Sequence, residues 1–195
     1  MDLTPARRLL RTARLWLQAS DTDMAPAVAE FYRRNQRHFA PWDPPTPPDF
    51  GTARVQRERL RAADLAFAEG QAFRYWLVLP EAPDEVIGSV HFSQVTRGAF
   101  HNAVLGYALD ERAQGRGLMH EALVALIAEM FSERVNLHRV QAAYRPENRR
   151  SGQVLARLGF QVEGLARDYL FIAGAWRDHQ VTALTNPRFR PPADW

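Results

Sequence analysis

Two residue types with distinctive chemistry, cysteine and lysine, are absent from this sequence of 195 residues. Without cysteine the chain can form no disulfide, no cysteine nucleophile and no thiolate-bound zinc or iron–sulfur centre. Because all 25 basic residues are arginine, a P-loop lysine, a Schiff-base lysine and a protein-kinase lysine are excluded as well. Phosphate recognition by this protein therefore has to use arginine side chains or backbone N–H groups.

Long apolar runs are missing too. No segment approaches the roughly 20 apolar residues that a membrane-spanning helix needs, and the mean hydropathy is −0.37. Arginines interrupt the N-terminal segment at Arg7, Arg8, Arg11 and Arg14, which is unlike the apolar stretch of a secretory signal. We therefore expect a cytosolic protein with no membrane partner. The net charge of +3 permits an RNA-associated substrate without requiring one.

The length, with 46% hydrophobic and 24% charged residues, predicts a single domain over residues 1–195 with its core in about residues 12–186. Apolar spacing predicts the order strand, two helices, three strands, helix, strand, helix, two strands. The predicted helices cover about residues 22–34, 52–69, 117–131 and 149–158. The predicted strands lie near residues 12–19, 73–79, 86–92, 103–109 and 138–144, followed by a final pair joined near residues 173–174.

A glycine-containing segment joins a predicted strand to the helix predicted over residues 117–131. It reads Arg112-Ala113-Gln114-Gly115-Arg116-Gly117-Leu118-Met119. Two glycines let backbone N–H groups approach a ligand, and a helix N-terminus adds partial positive charge, so the segment suits a pyrophosphate. An ordinary turn before a helix is the alternative. The segment is not a Rossmann fingerprint, because His120 holds the third glycine position.

A second motif, Pro146-x-Asn148-x-x-Ser151, follows about thirty residues later and is itself followed by Leu158-Gly159-Phe160. Together with Arg112-x-x-Gly115-x-Gly117, it resembles the GNAT family of acyl-CoA-dependent N-acetyltransferases. Residues 35–42 and 169–178 extend the resemblance over about residues 14–186. Within that family the sequence is most similar to the ribosomal-protein-alanine acetyltransferases of the RimJ type.

This resemblance implies an α/β fold with a central mixed, mostly antiparallel sheet, in which one parallel strand pair splays apart and helices flank the sheet. It also implies acetyl-CoA as the donor, and no metal. The pyrophosphate would lie on the backbone of residues 114–119, and the pantetheine would lie beside the strand ending near Leu109, where a backbone N–H could act as an oxyanion donor. The donor-binding residues that the resemblance assigns are Leu109, Arg112, Gln114, Gly115, Arg116, Gly117, Leu118, Met119, Asn148 and Ser151. Asn148 is also well placed to cap the following helix.

For catalysis, the resemblance makes Ser151 a candidate acid for the departing thiolate. The general base is less well defined, because the glutamate expected in the related RimL type falls at Leu170. We take Asp168 as the catalytic candidate, and the alternatives are Glu163, Asp43 and, through a water, His91 or His101. An α-amine with a pKa of about 7.8 is about 14% neutral at pH 7, whereas a lysine amine is about 0.04% neutral. The missing glutamate therefore favours α-amine substrates.

We expect acetyl transfer to a protein N-terminus, that of a ribosomal protein beginning with Ala or Ser. One alternative keeps the donor and changes the acceptor to a small amine such as an antibiotic, a polyamine or an amino acid. Another is a ribosome-associated assembly factor that binds acetyl-CoA, although no aromatic–basic RNA-binding motif is present. No DNA partner is expected. In this family the loop carrying Trp42, which has five prolines within residues 41–48, borders the acceptor groove.

Overall fold

The computed structural model describes residues 6–192, so the two ends of the predicted domain, residues 1–5 and 193–195, lie outside the described residues. Residues 6–192 form four α-helices and eight strands. They are β1 (Leu9–Arg11), β2 (Trp16–Ala19), α1 (Ala25–Phe39), α2 (Ala53–Ala68), β3 (Phe73–Leu79), β4 (Ala82–Thr96), β5 (Asn102–Leu109), α3 (Leu118–Met130), β6 (Arg139–Tyr144), α4 (Arg149–Arg157), β7 (Gln161–Ile172) and β8 (Ala175–Thr185).

All eight strands form one sheet in the order β1-β2-β3-β4-β5-β6-β8-β7. Neighbouring strands pair antiparallel throughout, except β5 and β6, which are parallel. The connection between these two parallel strands contains α3, as a parallel pair requires. The predicted mixed, mostly antiparallel α/β architecture is confirmed.

The parallel pair separates partway along its length. Pairing between β5 and β6 begins at Asn102 and Arg139 and ends at Leu105 and Ala142. Strand β5 nevertheless continues to Leu109, hydrogen-bonded along its other edge to β4. Beyond Leu105 the sheet is therefore open between β5 and β6, which confirms the predicted splay.

Apolar side chains cover both faces of the sheet. Successive strand residues point to opposite faces, so Tyr75 and Leu77 of β3 join the core under α3, whereas Trp76 and Val78 join the core under α1. Helix α3 is buried along most of its circumference. Even so, no helix within residues 6–192 is both long and apolar enough to cross a membrane.

The structure differs from the sequence expectations mainly at element ends. Asp21 caps a short 3-10 turn, Thr22–Met24, and α1 begins only at Ala25. This helix runs to Phe39, five residues past its predicted end, because Asn35 and Phe39 continue its buried face. Strand β1 was not predicted, since three residues are too few to show an alternation.

Candidate active site

A cleft of about 550 Å³ opens where β5 leaves β6. The end of α1 and the loop after it, the second half of β5, the start of α3 and the start of α4 contribute its walls. Eight of the ten residues predicted to bind the donor line this cleft, namely Leu109, Gln114, Gly115, Gly117, Leu118, Met119, Asn148 and Ser151. The other two, Arg112 and Arg116, are exposed and are not among the described residues that line it.

Residues 114–119, predicted to hold the pyrophosphate, are called the phosphate loop below. Its two glycines adopt left-handed backbone conformations, with φ of 73° at Gly115 and 74° at Gly117. A Cβ at Gly115 would meet nothing within 4 Å, so backbone conformation rather than lack of space requires glycine there. Gly117 is the N-cap of α3. The first N–H groups of that helix have no partner within the helix, and Leu118 and Met119 line the cleft. This end of the cleft is therefore suited to an anion.

A buried hydrogen-bond network fixes the start of the phosphate loop. The Asp110 carboxylate accepts hydrogen bonds from the Arg34 guanidinium, from the Asn35 amide at 3.1 Å and from the backbone N–H of Arg112 at 2.9 Å. Asn35 in turn accepts from the N–H of Glu111 at 3.1 Å. Burial alone would raise the pKa of Asp110, but these hydrogen bonds lower it below its ordinary value. The end of β5 is thereby tied to α1.

A second contact fixes the other end of the loop. Arg14, in the segment before β2, donates from Nε to Glu121 Oε2 at 2.6 Å and from Nη1 to the carbonyl of Arg116 at 2.9 Å. Thr12 also donates to Glu121, at 2.6 Å. Hydrogen bonds from Thr12 and Arg14 outweigh burial and lower the pKa of Glu121. The N-terminal segment thus holds the loop where it enters α3.

Ser151 lies in the first turn of α4, and its side chain contacts Tyr107 of β5. The two hydroxyl oxygens are 2.7 Å apart, and the Tyr107 hydroxyl also lies 3.1 Å from the Ser151 carbonyl. Burial raises the pKa of Tyr107 to about 12 despite this hydrogen bond. Sequence reasoning missed Tyr107. Its position two residues before Leu109, on the strand flanking the splay, is the signal that could have indicated it.

Helix α4 begins with a cap and a close contact. The side chain of Asn148 accepts the N–H of Ser151 at 3.1 Å, so the capping role considered for Asn148 is present, and the residue also lines the cleft. A Cβ at Gly152 would lie only 2.8 Å from the Tyr144 ring. With any larger residue at 152, the Tyr144 ring or α4 would have to shift.

The opposite wall comes from the proline-rich loop after α1, where Trp42 and Asp43 line the cleft. Arg145 donates from Nη1 to the carbonyl of Pro41 at 2.6 Å, and its guanidinium carbon lies 5.5 Å from the Trp42 ring centroid. Asp43 is exposed at the mouth of the cleft that it lines. Desolvation by the neighbouring protein nevertheless raises the pKa of Asp43 from 3.8 to about 6.

Gln114 bridges two walls of the cleft. Its Nε2 donates to His38 Nε2 of α1 at 2.8 Å, and its Oε1 accepts from Arg150 of α4. The three side chains come from α1, the phosphate loop and α4, and all three line the cleft. Gln114 therefore links the parts of the chain that form the anion-binding end.

Asp168 and Glu163, two of the acidic residues considered as general bases, do not line this cleft within the described chain. Asp168 is exposed on β7, and its backbone N–H donates to Asp178 at 2.9 Å. Glu163 pairs with Arg139. Leu170 is 37% exposed on the same strand. The catalytic role predicted for Asp168 thus gains no support from these contacts.

The two histidines considered as bases also lie elsewhere. Burial, with smaller contributions from Arg74 and Arg59, lowers the pKa of His91 to about 3. His101 is buried, and its Nδ1 lies 2.5 Å from the carbonyl of Gly98. Neither is among the described residues lining the cleft. Asp43 is therefore the one candidate base that the structure places with Ser151.

A family model described as an acetyltransferase (GNAT) domain matches residues 14–161, well over half of the chain. The chain therefore belongs to the GNAT acetyltransferase family and is an acyltransferase, which confirms the family predicted from its motifs. Within the family, it is 41% identical over 182 residues to the ribosomal protein uS5-alanine N-acetyltransferase of Escherichia coli (strain K12), with 93% of each chain covered.

Solved structures show the same likeness. The ribosomal-protein-S5-alanine acetyltransferase from Vibrio fischeri is 36% identical with a TM-score of 0.90, and the alignment covers 94% of this chain and 99% of that one. Mycobacterium smegmatis RimJ in complex with CoA-disulfide is 30% identical with a TM-score of 0.83, covering 92% and 85%. The predicted similarity to the RimJ type is confirmed.

Proposed function

We propose that this protein transfers the acetyl group of acetyl-CoA to the N-terminal α-amine of a ribosomal protein that begins with Ala or Ser, in the cytosol. The observation that carries the proposal is the identity of 41%, over 93% of the chain, with an enzyme named for alanine acetylation of ribosomal protein uS5. The cleft, with its glycine loop and its Ser151–Tyr107 pair, supplies the matching geometry.

The residues of the cleft fit acetyl-CoA. The positive-φ glycines Gly115 and Gly117 and the first turn of α3 provide backbone N–H groups for a pyrophosphate, and Arg150 adds positive charge beside them. Past Leu105 the edge of β5 has lost its β6 partner, so backbone N–H and C=O groups face the gap, where the amides of a pantetheine can pair with them. The proposed donor site therefore extends from residues 114–119 along β5 to Ser151. The roles of Arg112 and Arg116 in it stay predictions.

Bound acetyl-CoA supplies an acetyl group activated as a thioester. A backbone N–H of β5 near Leu109 polarises the carbonyl oxygen. The Ser151 hydroxyl donates a proton to the leaving sulfur, and Tyr107 fixes the direction of that hydroxyl through the 2.7 Å contact. The scheme is direct transfer without an enzyme nucleophile, and the cleft's task is to hold both reactants in a reactive geometry.

A thiol-release assay with acetyl-CoA tests the proposal. The acceptors are short peptides that differ only at the first residue, the same peptides with a blocked N-terminus and an internal lysine, and spermidine and an aminoglycoside as small-amine controls. We expect turnover of free Ala- and Ser-starting peptides, with the acetyl group located on the α-amine by mass spectrometry. Turnover restricted to the small amines would replace the proposed acceptor while keeping the donor.

A further inference from the structure

The position of Asp43 is fixed by contacts on both sides of the cleft. The backbone N–H groups of Trp42 and Asp43 both donate to the carbonyl of Phe39, at 2.8 and 3.0 Å, so the chain turns sharply after α1. Arg145, in the loop that leads into α4, holds this turn through the carbonyl of Pro41. Asp43 is therefore held on the same cleft as Ser151.

Asp43 forms no ion pair in the described part of the chain. The cleft there has two carboxylates, Asp43 and Glu147, and Glu147 pairs with Arg145 at 3.4 Å. No ion pair within residues 6–192 includes Asp43. The other charged or titratable side chains that face the cleft come from α1, β5, α3 and α4, and they are His38, Tyr107, His120, Arg149, Arg150 and Arg157.

A carboxylate in these surroundings is suited to an ammonium group. Partial desolvation raises the pKa of Asp43 to about 6, so the group is ionised at neutral pH yet binds a proton more readily than an ordinary aspartate. Since no arginine of the described cleft pairs with Asp43, this carboxylate is available to a ligand of opposite charge. An α-amine is mostly protonated at pH 7, which makes it such a ligand.

We infer that Asp43 receives the ammonium group of the acceptor and takes a proton from it. The inference rests on the proposed function. One proton passes from the ammonium nitrogen to an Asp43 oxygen and then to solvent. The neutral amine forms the new N–C bond as the C–S bond breaks, the Ser151 hydroxyl gives its proton to the sulfur, and the second proton lost from nitrogen restores that hydroxyl.

The test compares kcat as a function of pH for the wild type, Asp43→Asn and Asp43→Glu, with an Ala-starting peptide as acceptor. Wild-type kcat should fall as the pH drops through about 6, because Asp43 must be ionised to accept a proton. Asp43→Asn should lower kcat at pH 7 about 100-fold, the lower end of the effect of a general base. Its kcat should recover towards pH 8, where the α-amine loses its own proton. Asp43→Glu should restore the fall of kcat at low pH that the wild type shows.

Asp49→Asn serves as the matched control, because Asp49 lies in the same loop but pairs with Arg54 at 2.6 Å, and it is not among the described cleft residues. Its kcat and pH profile should equal those of the wild type. The affinity for acetyl-CoA, measured by calorimetry, should be the same in all four proteins, which shows that the fold and the donor site are intact.

The possible outcomes separate this inference from the proposed function. If the wild type acetylates the peptide and Asp43→Asn has the same kcat and pH profile, the inference is wrong and the proposed function stands. If only small amines are acetylated, and Asp43→Asn still loses kcat at pH 7 while the wild-type kcat falls below about pH 6, the role of Asp43 stands with a different acceptor. If no amine is acetylated, both are overturned.

Discussion

Removing the Tyr107 hydroxyl should slow catalysis, because the Ser151 hydroxyl then loses the contact that orients it. The Tyr107→Phe substitution deletes the 2.7 Å hydroxyl contact and leaves the ring, which packs against the core under α3. One neutral hydrogen bond has a net value of about 0.5–1.5 kcal/mol. If that contact orients Ser151 in the transition state, kcat/KM for the peptide should fall about 2- to 12-fold, since 1.36 kcal/mol corresponds to a factor of ten.

A double-mutant cycle measures whether the two residues act together. In a Ser151→Ala background the Tyr107→Phe change should cost less than twofold, because the group that it orients is already gone. The control is Tyr75→Phe, which removes a buried hydroxyl bonded to the Arg7 carbonyl at 2.7 Å outside the cleft, and it should leave kcat/KM unchanged. Equal losses from Tyr107→Phe in both backgrounds would refute the orienting role.

Three further predictions concern the supports of the cleft. Asp110→Ala should lower the free energy of unfolding in urea by about 3 kcal/mol, because it removes the buried carboxylate that pairs with Arg34 and leaves that arginine only the exposed Glu85, at 3.4 Å, as a carboxylate partner. A loss below 1 kcal/mol would contradict this. Hydrogen bonds depress the pKa of Asp110, so its ionised form stabilises the fold above pH 3.8 and loses this effect at lower pH. The difference in free energy of unfolding between the wild type and Asp110→Asn should therefore become smaller as the pH falls below 3.8. A difference that does not change with pH would argue against an ionised Asp110. Gly152→Ala should lower the free energy of unfolding by about 1–3 kcal/mol and raise the KM for acetyl-CoA, because its Cβ would meet the Tyr144 ring at 2.8 Å. If the stability and the KM both equal those of the wild type, α4 can shift freely.

Sequence patterns were sufficient to predict most of the residues that line one end of the cleft. The two positive-φ glycines, the helix after them and the Asn148 cap are local features, since each depends on residues within a few positions along the chain. For this reason a motif could predict Gly115, Gly117 and Ser151 together. The mixed sheet with its open parallel pair came from resemblance to the family, because alternation alone does not show which strands pair.

The placing of Tyr107 and Asp43 in the cleft was harder to predict because it depends on contacts between distant segments. Tyr107 and Ser151 are 44 positions apart. The alternation along β5 predicts that Tyr107 faces the core, but it does not predict the contact with Ser151. Local sequence alone did not single out one of the five candidate bases. What distinguishes Asp43 is the hydrogen bond from Arg145 to Pro41, which spans 104 positions and which no local propensity encodes.

The phosphate loop is held at its start by Asp110 and Asn35 and at its end by Arg14 and Glu121. The conformational entropy of this loop is therefore lost when the chain folds, not when the donor arrives. A preorganised loop of this kind spends none of its binding free energy on ordering. Donor association should therefore proceed at a rate set by diffusion and orientation.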